Sequence, residues 1–260
     1  MSAVITTAYV QQNQAPGVPP LSLTGERTLP DVPAENYWYR RHLAVYEWIA
    51  ERAAEARVLE MASGEGYGAA TLLSGGAASV IGVDANPEAY EHARLRYQQP
   101  GLSFERGLVE TWGEAGAYDA ITFLQTIEHV QDPVAVLSHF KGLLAAGGTV
   151  FVSTPNLLTL APRGAEKSDN PWHIKEYRAH EFRELCESVF DSVELYGLYH
   201  ARKLRAHELA LRLGWDQVHK RLRLSGPFYD RFTPAISARD FELSNIRPLH
   251  AALDFLAVCS

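Results

Sequence analysis

Glu60 closes a short apolar run over residues 57–60, and small residues follow it: Ala62, Ser63, Gly64, Gly66 and Gly68. A carboxylate at a strand tip sits beside backbone that a ligand can approach without meeting a Cβ. Asp84 closes the next apolar run, "SVIGVD", 18 residues after Gly66. An acid at that point can accept both hydroxyls of a ribose. A later run, "YDAITFL", leads into "QTIEHV", which places Glu128 and His129 just beyond a strand end. An imidazole there has the titration range of a general base.

Three ligand classes compete for the glycine turn. A phosphate-binding loop needs a Lys after its last glycine, and none follows Gly68. A dinucleotide site needs G-x-G-x-x-G, whereas the glycines here read G-x-G-x-G. Glu60 would also repel an approaching pyrophosphate. S-adenosylmethionine carries an ammonium, a sulfonium and a ribose diol but no phosphate, so it welcomes both acids. Asp84 alone serves NAD as well; Glu60 together with the G-x-G spacing separates the two.

The elements that must position these groups alternate. Strand patterns cover 57–60, 79–84, 102–105, 118–124, 148–153, 192–197 and 253–258, and helical patterns cover 68–73, 87–98, 133–144 and 179–190. Such alternation predicts an α/β fold: a Rossmann-like, doubly wound, seven-stranded, mainly parallel sheet with helices on both faces. A helix over 35–54 precedes it, with Trp38, His42, Val45 and Ile49 on one stripe and Pro33 at its start. Residues 199–250 read as an insertion before the last strand, basic and helical over 203–224, without strand signal, and a candidate lid. Residues 1–32 read as a flexible N-terminal segment, with 1–20 polar and poorly ordered, and 33–260 as the main domain.

Composition narrows the partners. The chain has 260 residues, 47% of them hydrophobic, and a net charge of -7. Acidic balance argues against nucleic acid or an anionic membrane as the main partner. Cys186 and Cys259 suit free thiols in a reducing compartment, and no apolar run approaches membrane-spanning length. A cytoplasmic, soluble protein with a small-molecule acceptor is expected; a homodimer is left open.

Residues 56–156 resemble class I S-adenosylmethionine-dependent methyltransferases, most specifically in "TIEHVQDP" and "LLAAGGTVFVSTPN". The flanks "LTGERTLPDVPAENYWYRRH", "NPWHIKEY" and "DFELS…ALDFLAVCS" resemble a narrower group acting on sugars and glycans, including enzymes that O-methylate mannose units of polymethylated polysaccharides. The resemblance implies S-adenosyl-L-methionine as cofactor, held by Glu60, Ala62, Gly64, Gly66, Asp84, Ala85 and Gln125. Ala62 stands where the family has glycine, and is tolerated if its backbone stays at negative φ. Leu108 stands where the family often has an acid, so the backbone of Leu108 and Val109 is expected to hold the adenine. Tyr37 and Arg41 are candidates for the methionine carboxylate; Arg27 is ambiguous. Some relatives carry E-x-x-E-H and bind a divalent metal. Gln125 replaces the first acid here, and Glu128 with His129 are too few ligands, so no metal is expected.

Methyl transfer to a hydroxyl needs alignment and, for a sugar, a base. His129 is the first candidate and His173 the second, with Glu128 bracing a loop or orienting His129. Trp172 and Tyr177 are flat surfaces on which a sugar ring could stack. The expected activity is O-methylation of a sugar or another small-molecule hydroxyl. The alternatives are a quinone, amine or lipid-precursor acceptor, or a methyltransferase fold kept as a non-catalytic binding module.

Overall fold

A computed structural model describes residues 7–8, 15–24, 27–162, 164–221 and 225–260. A small antiparallel ribbon joins β1 (Thr7–Ala8) to β2 (Ser22–Leu23). Helix α1 (Asn36–Ala50) follows a 3-10 turn opened by Pro33 and buries Val45, Tyr46 and Ile49. The alternating part then runs β3 (Arg57–Met61), α2 (Tyr67–Ser74), β4 (Ser79–Asp84), α3 (Pro87–Arg96), β5 (Leu102–Arg106) and β6 (Tyr118–Leu124). It continues through α4 (Pro133–Leu143), β7 (Leu144–Pro155), the single turn α5 (Leu157–Leu160), α6 (Ala179–Glu187) and β8 (Val193–His200). Helices α7 (Arg202–Arg212), α8 (Trp215–Arg221) and α9 (Ser225–Phe232) precede β9 (Phe241–Ser244) and β10 (Asp254–Cys259).

Local chemistry sets the helix starts. The Asn86 side chain accepts from the amides of Glu88 and Ala89, and Pro87 fills the first position of α3. Asp132 accepts from Ala135 N ahead of Pro133 in the same way, which starts α4 just after the "IEHV" segment.

The main sheet has eight strands in the order β5-β4-β3-β6-β7-β10-β8-β9. The first five are parallel, while β10 runs antiparallel to both β7 and β8. The chain departs leftward from β3 and rightward from β6, so a crevice opens at their carboxyl ends, the usual place for a ligand. Side chains alternate across the sheet. Met61, Phe123 and Phe255 join Phe140 and Phe182 in the cluster on one face. Val58, Val80 and Leu256 join Ile49 and Leu72 in the cluster on the other.

Two expectations need correction. The sheet has eight strands rather than seven, because β9 lies inside the segment read as strandless and pairs Gly197–His200 with Ser244–Phe241. Four residues, "FELS", are too short to show alternation, and β9 gains its pairing from the edge of β8. The 203–224 helix is real over α7 and α8, while residues 222–224 lie outside the described residues. Second, part of the segment expected to be flexible is packed over residues 18–32, while the expectation for residues 1–20 falls largely outside the described residues. Leu21 and Leu29 are fully buried with Leu23 and Val32 against them, and the Pro19 carbonyl accepts from His92 Nδ1 at 2.7 Å. Single leucines between polar residues have no period, so no pattern marks this strap. Cys186 and Cys259 are buried and unbridged. Among the described residues no helix is long and apolar enough to cross a membrane.

Candidate active site

A cavity of about 340 Å³ lies in the crevice at the carboxyl ends of β3 and β6. Of the residues named as cofactor or base candidates, Ala62, Gly64, Asp84, Ala85, Gln125 and His129 line it. The turn after β3 is built from left-handed residues. Ala62 has φ +58 and Gly64 φ +56. Ala62 therefore does not keep a negative φ. The left-handed region costs an alanine about 1–2 kcal/mol, which the fold must offset by fixing the turn. Its neighbour supplies that fixing: Ser63 N donates to Val83 O at 2.9 Å. A Cβ on Gly64 would meet no heavy atom within 4 Å, so this is where the backbone leaves room for a ligand.

Asp84 secures the turn. Its Oδ2 accepts from Gly64 N at 2.7 Å and its Oδ1 from Asn86 N at 2.8 Å. A carboxylate has about four lone-pair sites, so each oxygen keeps one for a diol. Gln125, with φ +52, is locked by its amide donating to Ser153 O at 3.0 Å and its Nε2 donating to Ser153 Oγ at 3.0 Å.

Other expected cofactor residues lie elsewhere. Glu60 is buried beneath the turn, off the cavity wall, and neither of its carboxyl oxygens has a donor in hydrogen-bonding geometry. Burial pushes its pKa up to about 8, against the opposing pull of the Tyr46 hydroxyl and the Ala69 amide. Gly66 caps α2 at φ +99, and a Cβ there would come within 2.8 Å of Ala93 Cβ, so this glycine serves packing. Leu108 is exposed and off the wall, with its carbonyl taken by the amides of Thr111 and Trp112. Val109 packs against the core. Tyr37 turns its hydroxyl to His200 Nε2 at 2.8 Å. Arg41 is buried, with its Nε donating to Asp254 Oδ2 at 2.6 Å and its Nη2 to Leu253 O at 2.9 Å. Both face partners more than 150 residues away in sequence, which no local spacing reveals.

Arg27, Glu65 and Asp254 are the charged residues of the cavity wall that lay outside the expected cofactor set. Arg27 is the wall's one Lys or Arg among the described residues. It arrives on the strap, where Thr28 Oγ1 meets Tyr67 Oη at 3.0 Å. The signal was "TGER" itself. His42 shares this corner, Nδ1 lying 3.2 Å from Tyr67 Oη, and burial depresses its pKa to about 4, so it is neutral.

On the acceptor side, His129 Nδ1 lies 3.0 Å from Trp172 O. A carbonyl only accepts, so Nδ1 carries the proton and Nε2 the lone pair. The ring packs edge-on against His173, centroids 4.9 Å apart. Both ring nitrogens of His173, the second expected base, are already paired. Its Nδ1 donates to Glu176 Oε1 at 2.7 Å, and its Nε2 accepts from Asn170 Nδ2 at 3.0 Å. Asn170 cannot flip, because its Oδ1 accepts from Trp172 N. Glu128 is buried and braces β7 by accepting from Thr154 Oγ1 at 3.0 Å, and its carbonyl accepts from Ile174 N and Lys175 N. Trp172, not Glu128, orients His129. Burial raises the Glu128 pKa to about 8. Tyr177 is fully buried and offers no stacking face, whereas Trp172 is 48% exposed.

Ligand atoms of Glu128, His129 and His173 lie within 4.8 Å of one another, so the fold supplies a third metal-type ligand that the sequence reading did not count. A cation there would have to displace Asn170 from His173 Nε2 and ionise a carboxyl that burial keeps protonated. As packed, each of the three is hydrogen-bonded to another residue: Glu128 to Thr154, His129 to Trp172, and His173 to Glu176 and Asn170.

A doubly wound sheet with an acid-lined, glycine-opened cavity at its switch point has the form of a nucleoside-binding α/β site. Residues 37–209 match the methyltransferase domain family. The chain is 35% identical over 248 residues to a "probable S-adenosylmethionine-dependent methyltransferase" of Mycolicibacterium smegmatis, covering 92% of this chain and 94% of that one. A similarly described protein of Mycobacterium tuberculosis is 34% identical, covering 92% and 89%. A ubiquinone biosynthesis O-methyltransferase of Xanthomonas axonopodis is 35% identical over 46% of this chain and 54% of its own length. A solved SAM-dependent methyltransferase from Thermotoga maritima shares the fold at TM-score 0.59 and 16% identity, covering 87% and 93%. The chain belongs to the methyltransferase domain family and is an S-adenosylmethionine-dependent methyltransferase.

Proposed function

We propose that this enzyme O-methylates a hydroxyl of a sugar or similar small molecule, with His129 as general base. The observation that carries the proposal is the His129 tautomer. Nδ1 is held on the Trp172 carbonyl, so the neutral ring carries its lone pair on Nε2, and His129 stands on the wall of the cofactor cavity. The exposed Trp172 indole beside it offers a flat face for a sugar ring. The O-methyltransferase relatives support a hydroxyl acceptor in general and not the sugar in particular.

S-adenosylmethionine supplies an electrophilic methyl when bound. Asp84 would accept the ribose hydroxyls, Gly64 would give its backbone room, and Arg27 would face the methionine carboxylate in place of Arg41. Holding the acceptor in line is worth up to about 7–11 kcal/mol. Nε2 of His129 would take the hydroxyl proton, worth roughly 10²–10⁴-fold. His173, Asn170 and Glu176 position the loop that carries Trp172.

A calorimetric titration with S-adenosylhomocysteine, with Asp84→Ala and Arg27→Ala alongside, tests the cofactor half. Both variants should bind at least about tenfold more weakly. A panel of sugar, phenol and amine acceptors with labelled cofactor tests the other half. Methylation of amines alone, unchanged in His129→Asn, would remove both the hydroxyl and the base.

A further inference from the structure

We propose that the helical insertion α7–α9 docks this protein onto an anionic membrane surface. The whole-chain charge conceals the feature. Residues 202–231 hold eight Lys or Arg against three Asp or Glu, a net +5 in a chain of net -7, so the other residues carry -12. A polycationic segment on an acidic protein is drawn to anionic lipid while the remaining surface is not.

The same segment exposes apolar side chains. Leu213 is 81% exposed, Leu209 59%, Val218 42% and Trp215 40%. Leu209 and Leu213 are four residues apart at the end of α7; Trp215 and Val218 are three apart on α8. Each pair therefore shares a helix face. Leu209 and Leu213 are not the inner packing of the insertion. That role belongs to His207, whose ring lies 4.7 Å from Phe232 and 5.7 Å from Phe228 by centroid, and to Leu204, which is buried. Basic residues beside exposed leucines and a tryptophan are the pattern of an interfacial helix. The leucines enter the acyl boundary, the indole sits at headgroup level and the cations face anionic lipid.

Charge complementarity selects this occupant. A second copy docked symmetrically, patch on patch, would bring +5 against +5. A nucleic acid would take the cations and leave Leu213 against phosphates. Placement adds to the argument. β10 is antiparallel to both β7 and β8, so β8 ends on the same edge as β7. α7 begins two residues after His200, the end of β8, and the insertion rises from the edge where the cavity lies. Docking by α7–α8 would hold that edge near the bilayer. The proposal does not depend on which hydroxyl is methylated.

The test is co-sedimentation of the full chain with vesicles of phosphatidylcholine alone or mixed with phosphatidylglycerol, at low and high salt. The wild type should bind the mixed vesicles, not the neutral ones, and be released by salt. The double variant Leu209→Gln/Leu213→Gln should bind about tenfold more weakly, and Arg205→Gln/Arg221→Gln should bind weakly at low salt. Melting temperature and S-adenosylhomocysteine affinity of both should match the wild type, which separates lost docking from lost folding. The proposal is overturned if the wild type ignores anionic vesicles or if the leucine variant binds them equally. It is equally overturned if light scattering shows a dimer that the leucine variant dissolves, or if the patch binds RNA and not vesicles.

Discussion

Gly64 and Gly66 stand two residues apart, and the structure assigns them opposite duties that one alanine each can separate. Gly64 lies at φ +56 on the cavity wall, with no heavy atom within 4 Å of a Cβ. An alanine there pays about 1–2 kcal/mol for the left-handed region, partly offset by about 0.4–1 kcal/mol from a less free unfolded chain. The net loss is about 1 kcal/mol, and Ala62 at φ +58 shows that this turn already accepts an alanine in that region. Gly66 lies at φ +99, outside the left-handed well. Its Cβ would come 2.8 Å from Ala93 Cβ, 3.0 Å from Tyr97 and 3.1 Å from Phe104. Backbone strain of about 1–3 kcal/mol and overpacking of about 1–3 kcal/mol, less the same unfolded-chain offset of about 0.4–1 kcal/mol, give a loss near 3 kcal/mol. For a chain of this size about 1 kcal/mol moves Tm by roughly 2–4 °C. Gly64→Ala should therefore melt roughly 2–4 °C low and Gly66→Ala roughly 6–12 °C low. Binding should reverse the order. A methyl in the cavity of Gly64→Ala should weaken S-adenosylhomocysteine about 10–200-fold, while folded Gly66→Ala should bind within about threefold of wild type. Scanning fluorimetry and calorimetry read both quantities. If Gly64→Ala binds normally, or if Gly66→Ala melts with the wild type, the division between ligand room and packing is wrong.

Arg41→Ala should lose about 3–5 kcal/mol in denaturant unfolding, because it leaves the Asp254 carboxylate buried without its guanidinium; a loss below about 1 kcal/mol would show the pair to be dispensable. Glu60 should make stability fall with rising pH. Its folded pKa, about 8, is raised above the ordinary 4.5, so the folded state holds a proton that the unfolded state releases. The stabilising contribution is full below pH 4.5 and is lost as pH rises through about 8. Glu60→Gln should flatten the wild-type slope of unfolding free energy across that window, and an unchanged slope would assign it to other groups such as Glu128. His129→Asn should lower kcat by roughly 10²–10⁴-fold with S-adenosylhomocysteine affinity kept; a fall in affinity without a fall in kcat would make His129 a binding residue.

What could be read from the chain was local, and what could not was brought together across it. β3, the glycine turn and Asp84 lie within 28 residues, and their order in sequence is their order in the site. Alternation and short apolar runs were enough to draw the parallel half of the sheet. The rest rests on pairings that no spacing encodes. Arg41 looked available for an anionic ligand because its partner, Asp254, lies 213 residues on. His173 looked like a base because Asn170 and Glu176 both reach its ring only once the loop has folded back on Glu128. In both cases a charged or basic side chain in a promising motif had already been spent inside the fold. Arg27 and His129 differ in that both stand on the cavity wall. Residue type and motif position therefore nominate a site, and the remaining selection is made by which polar groups the fold leaves facing the cavity once its own long-range pairs are formed.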